Sequence, residues 1–489
     1  MGKSVKISKK RIALYVFYAF LIIWLIVGFY AKFKVLPEGI SIEGSVYNVS
    51  DDDIEFLYDL NYVRDNESVI EQEIFDEVFR VIDMAEDFIV IDMFLFNTDY
   101  SEKVRYKNLT TDMKNLLIEK KIDNPAIEIV FITDPINNFY GSYTSDELIE
   151  LRENNISVVV TELNALRDVN LIYSGFWRAY LQWFGTGGDG WISHPLGNIG
   201  QKVTLRSFLK LMNTKANHRK VIVADQGDRI VSIVTSANPH EASSKHSNVG
   251  VKVYGSLGED VLMAESAVER FSSDYGTVDN ILGDLDADVT TGNIQVQLLT
   301  EEKIRDSLLE EIGDSAEGDK IEMIMFYLSD RKIVNALLEA SERGVEIELI
   351  LDPNKDAFAR EKSGIPNRQV AWELVKKSDG KINVRWYDTN GEQQHSKIVV
   401  IRKADGSVII LLGSANLTKR NIGNFNLEMN VKIISPEGTK IETDVGYLFD
   451  RLWNNENGHF TTEFETYKDT SLRKYWQYRI QEATGFSSF

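Results

Sequence analysis

Residues 217–225 read Asn-His-Arg-Lys-Val-Ile-Val-Ala-Asp, so that a histidine and a lysine two positions later stand at the head of an apolar run. Residues 394–401 read Gln-His-Ser-Lys-Ile-Val-Val-Ile and repeat that order. Each copy leads to a second apolar run that ends in Ser-Ala-Asn, at residues 236–238 and 414–416. Short apolar runs bounded by polar residues are typical of buried strands. The repetition predicts that both copies bring their histidine, lysine, serine and asparagine to one site.

The sequence around each copy repeats as well. In the first half the pattern predicts one helix and three strands, at Ser68–Ala85, Phe88–Phe96, Ala126–Pro135 and Ile156–Val160. In the second half it predicts the same order, at Lys303–Ile312, Ile321–Leu328, Val345–Pro353 and Ile382–Asp388. Asp352-Pro353 echoes Asp134-Pro135. We therefore predict an α/β fold of two similar α/β lobes, an internal duplication, with the site at the interface of the lobes.

The halves differ in the residues that precede the histidine. From Asp134 to His218 is 84 residues, whereas from Asp352 to His395 is 43. The excess is an insert at about residues 164–212 that is rich in Trp, Phe, Tyr and Gly. Two interpretations stay open at this point: a packed loop that covers the first lobe, or an aromatic lip that meets the membrane interface or an acyl chain.

The composition limits the class of protein. A chain of 489 residues is long enough for two domains. Its net charge of −21 argues against a broad nucleic-acid-binding surface. The sequence has no cysteine, which excludes disulfides, thiolate catalysis and cysteine metal sites.

The N-terminus predicts a membrane anchor. Residues 12–31 carry no charge, and at about 1.5 Å per residue they span roughly 30 Å, the thickness of a bilayer core. The preceding tail, residues 1–11, holds five basic residues and only two follow closely, which predicts a single-pass cell-membrane protein with a cytoplasmic N-terminus and extracytoplasmic lobes. A cleaved signal peptide is the alternative.

The remaining boundaries follow from changes in composition. Residues 32–65 are polar and acidic and are predicted to be a spacer. The first lobe is predicted at residues 66–280 and the second at 281–455. Residues 456–489 form a polar and aromatic tail that we expect to pack on a lobe.

The paired motifs resemble the signature of the phospholipase D superfamily, His-x-Lys-x4-Asp followed by Gly-Ser-x-Asn. The resemblance covers residues 66–455. It implies a two-step reaction on a phosphodiester, in which one imidazole attacks phosphorus to give a phosphohistidine and the other transfers the proton of the leaving alcohol. No cofactor or metal is expected.

The resemblance assigns roles to particular residues. Alternation along a strand puts residues i and i+2 on the same face, so the histidine and lysine of each motif face one way. The expected catalytic residues are His218, Lys220, His395, Lys397, Asn238, Asn416 and Glu428. The expected substrate-binding residues are Ser236 and Ser414, and Asp225 is expected to be structural. We expect His218 to be the nucleophile and His395 the acid and base.

Two positions depart from the family pattern. Arg402 stands where the second motif would have an aspartate, and Thr235 replaces the glycine before Ser236. Glu428 could orient an imidazole, although the sequence does not tell which one. Glu428 lies 12 residues after Asn416, and the residue 12 positions after Asn238 in the first motif is Gly250. Because only one of the two histidines has an obvious carboxylate to orient its ring, we predict different tasks for them.

Three functions compete. The first is a membrane-anchored phospholipid enzyme of phospholipase D or cardiolipin synthase type, with a phospholipid as substrate and no obligate protein partner. The second is a phospholipase D-family nuclease for single-stranded nucleic acid, which a basic, groove-like cleft would favour. Basic residues around the first motif form either an anion funnel or an ordinary amphipathic helix surface: Lys202, Arg206, Lys210, Lys215 and Arg219. The third is a scaffold with a decayed site, and the intact His-Lys pairs argue against it.

Overall fold

The computed structural model describes residues 8–98, 107–195, 201–286, 288–357 and 360–487, and the mixed α/β prediction is confirmed. The strands are β1 (Glu43–Val49), β2 (Ile54–Arg64), β3 (Glu67–Glu71), β4 (Phe88–Met93), β5 (Glu128–Thr133), β6 (Ser157–Val160), β7 (Ile192–Ser193), β8 (Lys202–Val203), β9 (Lys220–Gln226), β10 (Arg229–Thr235), β11 (Asn248–Tyr254), β12 (Ile294–Thr300), β13 (Lys320–Met325), β14 (Glu346–Leu351), β15 (Asp356–Ala357), β16 (Arg360–Glu361), β17 (Ile382–Tyr387), β18 (Lys397–Arg402), β19 (Ser407–Gly413), β20 (Met429–Pro436) and β21 (Thr461–Glu463). The helices are α1 (Lys9–Phe33), α2 (Ile74–Met84), α3 (Leu109–Asp123), α4 (Asp146–Glu153), α5 (Leu171–Phe176), α6 (Leu205–Leu211), α7 (Leu257–Ser272), α8 (Thr277–Asp284), α9 (Glu302–Gly313), α10 (Arg331–Glu342), α11 (Asn367–Lys377), α12 (Lys440–Trp453) and α13 (Leu472–Thr484).

Two large sheets organise these elements. One has the order β3-β2-β11-β10-β9-β4-β5-β6, and the other has the order β1-β12-β20-β19-β18-β13-β14-β17-β21. In the first sheet β4, β5 and β6 run parallel, and in the second sheet β13, β14 and β17 run parallel. Every other pair of neighbouring strands in the two sheets is antiparallel. We call the first sheet with its helices the first unit and the second sheet with its helices the second unit.

The main core lies between the two sheets. Strand alternation sends Val221 and Val223 of β9 into this core, together with Val400 of β18, while Ile222 faces the helices on the outer side of its sheet. The second sheet has its own outer core, which includes Val399. Helices α7 and α12 also contribute to the core between the sheets, for example with Val261 and Val445, and the strands that carry the motifs lie in the interior of both sheets.

The prediction that residues 32–65 form a spacer is wrong. Strand β1 pairs with β12 in the second sheet, and β2 pairs with β11 in the first. The acidic residues misled the prediction because they alternate with buried apolar ones, such as Phe56 and Leu60 in β2. The predicted boundary at residues 280 and 281 also falls inside a helix, α8.

The predicted helix at Ser68–Ala85 begins too early. Residues 67–71 form β3, which pairs with β2 in the register Tyr62 to Val69. Helix α2 starts at Ile74, where the carboxylate of Asp59 accepts hydrogen bonds from the backbone N–H groups of Glu73 and Ile74 at 2.8 and 3.2 Å. A side chain distant in sequence thus caps the helix, and no local pattern could reveal it.

The two ends of the chain behave differently. Helix α1 is long and apolar enough to cross a bilayer by length and composition, and most of its surface is exposed; part of the basic tail, residues 1–7, lies outside the described residues. The C-terminal segment packs on the second unit as predicted, since β21 pairs with β17 and the Tyr478 side chain is fully buried.

Candidate functional site

The backbone of each motif histidine forms a hydrogen bond with the other unit. Each directly precedes a central strand, β9 or β18. The backbone N–H of His218 donates to the carbonyl of Leu427 at 2.9 Å, and that of His395 donates to the carbonyl of Ser247 at 2.8 Å. Each histidine is therefore held by backbone from the opposite unit.

The side chain of His218 is bound by Glu428. Its Nδ1 lies 3.0 Å from Oε2 and 2.9 Å from Oε1 of that carboxylate. Glu428 is fully buried and also accepts hydrogen bonds from the hydroxyl of Ser414, at 2.5 Å, and from the side-chain amide of Asn421. The carboxylate of the second unit thus orients the imidazole of the first through Nδ1.

The side chain of His395 is bound by an amide instead. Its Nδ1 lies 3.1 Å from Oδ1 of Asn248, which also accepts from the hydroxyl of Ser236 at 3.0 Å. Asn248 is therefore the counterpart of Glu428, and the assignment of Gly250 is wrong. The loop after Asn238 reaches this position in ten residues, whereas the loop after Asn416 needs twelve.

The two lysines have matching environments. Nζ of Lys220 donates to the carbonyl of His218 and Nζ of Lys397 donates to the carbonyl of His395, both at 2.6 Å. The ring of Phe94 lies 4.8 Å from that of His218 and 4.9 Å from Nζ of Lys220. In the second unit the ring of Phe326 lies 4.9 Å from that of His395 and 5.1 Å from Nζ of Lys397. Histidine and lysine therefore share a face in each unit.

Burial controls the charge of the site. It lowers the pKa of His218 to about 4, against the opposing effect of Glu428. It lowers the pKa of His395 well below the usual value, and the charge of Lys397 adds to that effect. Burial also lowers the pKa of Lys220 to about 7 and that of Lys397 well below its usual range. A bound phosphodiester would oppose these shifts, because its negative charge favours the protonated forms.

The asparagines of the Ser-Ala-Asn segments lie in the same region. Oδ1 of Asn238 accepts from the backbone N–H of Leu95 at 3.2 Å. Oδ1 of Asn416 is buried and has no hydrogen-bond partner. A buried acceptor without a partner is costly, so a donor from a substrate or water would satisfy it.

The Thr235 departure is compensated across the strand pair. Thr235 lies opposite Gly250, and Gly413 lies opposite Asn430. The backbone N–H of Ala237 donates to the Thr235 hydroxyl and that of Ala415 donates to Oδ1 of Asn430, both at 3.1 Å. In each pair one polar side chain, Thr235 or Asn430, supports the turn. The residue opposite is glycine, because a Cβ on Gly250 or Gly413 would lie 3.0 Å or less from that polar residue.

Asp225 and Arg402 stand at the other end of their strands. The carboxylate of Asp225 accepts from the backbone N–H groups of Glu86, Asp87 and Phe88 at 3.0, 2.9 and 2.8 Å. Arg402 forms ion pairs with Glu322 and Glu442 instead. Both residues lie away from the histidines.

Sequence reasoning missed the function of the repeated aspartates. Asp134 accepts from the backbone N–H of Asn217 at 2.7 Å, and Asp352 accepts from that of Gln394 at 2.8 Å. Each carboxylate therefore fixes the residue before a histidine, and burial raises the pKa of both to about 7. The repeated Asp-Pro pair was the available signal.

Two of the five basic residues of the predicted anion funnel are buried and paired with carboxylates. Arg219 is fully buried and pairs with Glu265 and Glu301, at 3.2 and 2.8 Å. Lys215 is buried and lies 2.8 Å from Asp168. Within the described residues, no group of three or more His, Asp or Glu side chains is arranged to hold a metal ion.

The chain resembles known proteins in both sequence and structure. A family model described as "Cardiolipin synthase, PLD-like domain" matches residues 308–453, which include the second motif. Phosphatidylserine synthase from Haemophilus influenzae is similar in structure, with a TM-score of 0.58 at 11% identity over 93% of this chain and 96% of that chain. The sequence matches no curated protein significantly.

Two further structures are less similar. Polyphosphate kinase from Porphyromonas gingivalis has a TM-score of 0.44 at 13% identity over 88% of this chain and 53% of that chain. Nuc, a phospholipase D family member from Salmonella typhimurium, has a TM-score of 0.26 at 22% identity over 34% of this chain and 97% of that chain.

The fold and the paired motifs define the class: a phospholipase D-like α/β protein whose two sheets each present a His-x-Lys segment. Residues 308–453 of the second unit match the family model of a cardiolipin synthase, phospholipase D-like domain.

Proposed function

We propose that this chain is a membrane-anchored phosphodiesterase or phosphatidyltransferase that acts on phospholipids through a phosphohistidine. The observation that carries the proposal is the reciprocal support of the histidines, His218 by Glu428 and His395 by Asn248. Two imidazoles, each held at Nδ1 by the opposite unit, suit a nucleophile and a proton carrier in one reaction. The similarity of the two sheet orders supports the further proposal of an internal duplication.

His218 is the proposed nucleophile. Glu428 accepts the Nδ1 proton, so the lone pair lies on Nε2, and the pKa of about 4 keeps this imidazole neutral near pH 7. Attack on phosphorus forms the P–N bond as the P–O bond to the leaving alcohol breaks. The imidazolium character that develops on His218 is stabilised by the Glu428 carboxylate.

His395 is the proposed acid and base. Protonated at Nε2, it gives that proton to the leaving alcohol; it then takes a proton from the incoming water or alcohol, which displaces His218 and restores the enzyme. Lys220 and Lys397 neutralise the non-bridging oxygens of the phosphate. The serines and asparagines of the two Ser-Ala-Asn segments are proposed to orient those oxygens or the neighbouring lysines and histidines: Ser236, Asn238, Ser414 and Asn416. No residue in this scheme requires a cofactor. Asp225 is proposed to be structural.

Helix α1 is the proposed anchor, with its N-terminus in the cytoplasm and both units outside. Among the superfamily activities, phospholipid chemistry is favoured over nucleic acid because the anchor places the site beside lipid and because Lys215 and Arg219 are buried and paired.

The test uses the full chain in vesicles of phosphatidylglycerol and phosphatidylcholine with EDTA, and separately with labelled single-stranded DNA. We expect cardiolipin or phosphatidic acid by mass spectrometry, and neither product from the His218→Ala protein. Cardiolipin would mean transfer and phosphatidic acid hydrolysis. DNA fragments with intact lipid would contradict the lipid assignment, and activity that needs added metal would contradict the mechanism.

A further inference from the structure

The insert before the first histidine packs on the N-terminal helix. After residues 163–165 the chain forms α5, a π-helical turn at Trp177–Leu181 and a 3₁₀ turn at Gln182–Phe184. We call residues 171–184 the insert helix. It contacts α1 more extensively than any other element does, so these two segments form one packed pair.

Two glycines bring the helices into close contact. A Cβ on Gly28 would lie 2.6 Å from the carbonyl oxygen of Leu171, and a Cβ on Gly175 would lie 2.8 Å from the Cα of Gly28. Small residues at a helix crossing allow backbones to approach, as they do between helices inside membranes.

Polar side-chain groups of the pair are also satisfied between the helices. The Trp24 indole donates to the carbonyl of Ile172 at 2.7 Å, and the Tyr180 hydroxyl donates to the carbonyl of Phe20 at 2.6 Å. The rings of Phe20 and Tyr180 stack at 4.1 Å, and the rings of Trp24 and Phe176 meet at 5.5 Å.

These contacts fix the direction of the insert helix. Its start meets Gly28 of α1 and its later turns meet Phe20, so it runs antiparallel to α1. Gly28 and Phe20 are about 12 Å apart along a helix. The uncharged part of α1 ends at Ala31, which places Phe20 roughly 16 Å from that end, near the middle of a bilayer core of about 30 Å.

We propose that the insert helix is a re-entrant segment immersed in the lipid leaflet next to the catalytic units. The proposal rests on the proposed anchoring by α1 and adds a second membrane contact. Its partner is the acyl and glycerol region of a phospholipid leaflet.

The end of the insert helix fits this environment. Trp183 is 74% exposed and Phe184 is 68% exposed, a pair of large apolar side chains next to each other. Neighbouring exposed apolar side chains of this kind mark a surface that contact with lipid tails stabilises relative to water. A re-entrant backbone is tolerated at this depth because helical hydrogen bonds and the partner helix satisfy its polar groups.

The one charged side chain of the insert helix is directed toward the first unit. Arg178 forms an ion pair with the buried carboxylate of Asp168 and donates to the carbonyl of Asn164 at 3.1 Å. The backbone N–H of Asp168 donates to the carbonyl of Ala31 at the end of α1, at 3.1 Å. A long side chain that reaches the polar boundary in this way is compatible with an apolar surrounding for its helix.

The return of the insert leads directly to the site. Nζ of Lys215 donates to the carbonyl of Leu163 at 2.6 Å, which closes the base of the insert, and His218 follows three residues later. Immersion of the insert helix would therefore fix the height of the site above the leaflet, as well as tether it.

The test uses the natural absence of cysteine. Single cysteines would be introduced into the full chain as Phe184→Cys, Ile22→Cys on the exposed face of α1, and Tyr275→Cys on an exposed position of the first unit. Each would be spin-labelled in phosphatidylcholine–phosphatidylglycerol vesicles. The accessibility of the label to oxygen and to a water-soluble nickel complex would be measured, with Trp183→Cys as a second probe of the insert if Phe184→Cys fails to fold.

We expect labels at 184 and 22 to favour oxygen, as in lipid, and the label at 275 to favour the nickel complex. A nickel-accessible label at 184 or 183 beside an oxygen-favouring label at 22 would overturn the re-entrant segment and leave the anchor intact. Nickel-accessible labels at both 22 and the insert would overturn the anchor as well. Neither readout depends on catalytic activity.

Discussion

The two histidine environments are built alike but end in different partners. Both imidazoles are held at Nδ1 by the opposite unit, both have a phenylalanine ring beside them, and both precede a lysine that donates to the histidine carbonyl. His218, however, meets a carboxylate and His395 an amide. A carboxylate stabilises an imidazolium, whereas an amide only orients the ring. One residue thus distinguishes the two histidine environments in an otherwise symmetric site, and we predict from it a different task for each histidine.

The largest expected effect comes from removing either imidazole. His218→Ala and His395→Ala are each expected to reduce kcat by roughly 10⁴-fold or more, because nucleophile and proton carrier act as one unit. After rapid quenching with labelled lipid, only the protein with His395→Ala should retain a covalent label. His459→Ala is the control, since its side chain is half-exposed and pairs with Asp388. Label on the protein with His218→Ala would reverse the two roles.

The partners of the imidazoles should differ in effect. Glu428→Gln is expected to reduce kcat about 10²-fold, since it removes the charge that stabilises the His218 imidazolium. Asn248→Asp should raise the pKa of His395, because a carboxylate at this position favours the charged ring. The limb of the kcat/KM pH profile that belongs to His395 should then move to higher pH, and an unmoved profile would mean that His395 does not titrate in the reaction.

Asp225 and Asp405 allow a comparison of stability between a buried carboxylate and an exposed one. Asp225→Ala leaves three backbone N–H groups without their charged acceptor and is expected to reduce the free energy of unfolding by about 3 kcal/mol. The measurement is the Tm in detergent, together with kcat of the folded protein. Asp405→Ala, at an exposed turn of the second unit, should leave Tm nearly unchanged. Equal Tm values for both variants would contradict the structural role of Asp225.

The smallest expected effect concerns the turn before each serine. Gly250→Asn alone should destabilise the protein, because its Cβ would crowd Thr235 at 3.0 Å. Thr235→Gly combined with Gly250→Asn recreates the Gly413–Asn430 pair and should recover stability, with a coupling free energy of about 1 kcal/mol. Chemical denaturation of the wild type, both single variants and the double variant measures this term. Strict additivity would show that the two pairs are not equivalent.

The sequence by itself determined the parts of this protein that depend on local pattern. The short continuous apolar runs predicted the central strands β4, β9, β13 and β18, because a strand that is buried on both faces needs apolar side chains at successive positions. The repeated motifs predicted which residues share a face and the superfamily. The uncharged run predicted a helix long enough to cross a membrane.

Only the tertiary structure decided which residues meet across the chain. It paired β1 with the second sheet and β2 with the first, where acidic composition had predicted a spacer. It replaced Gly250 by Asn248 as the counterpart of Glu428, since loops of ten and twelve residues reach the same place. It also showed that the aromatic insert packs against α1. Each of these depends on contacts between residues far apart in sequence, and such contacts leave no periodic signal for a local pattern to carry.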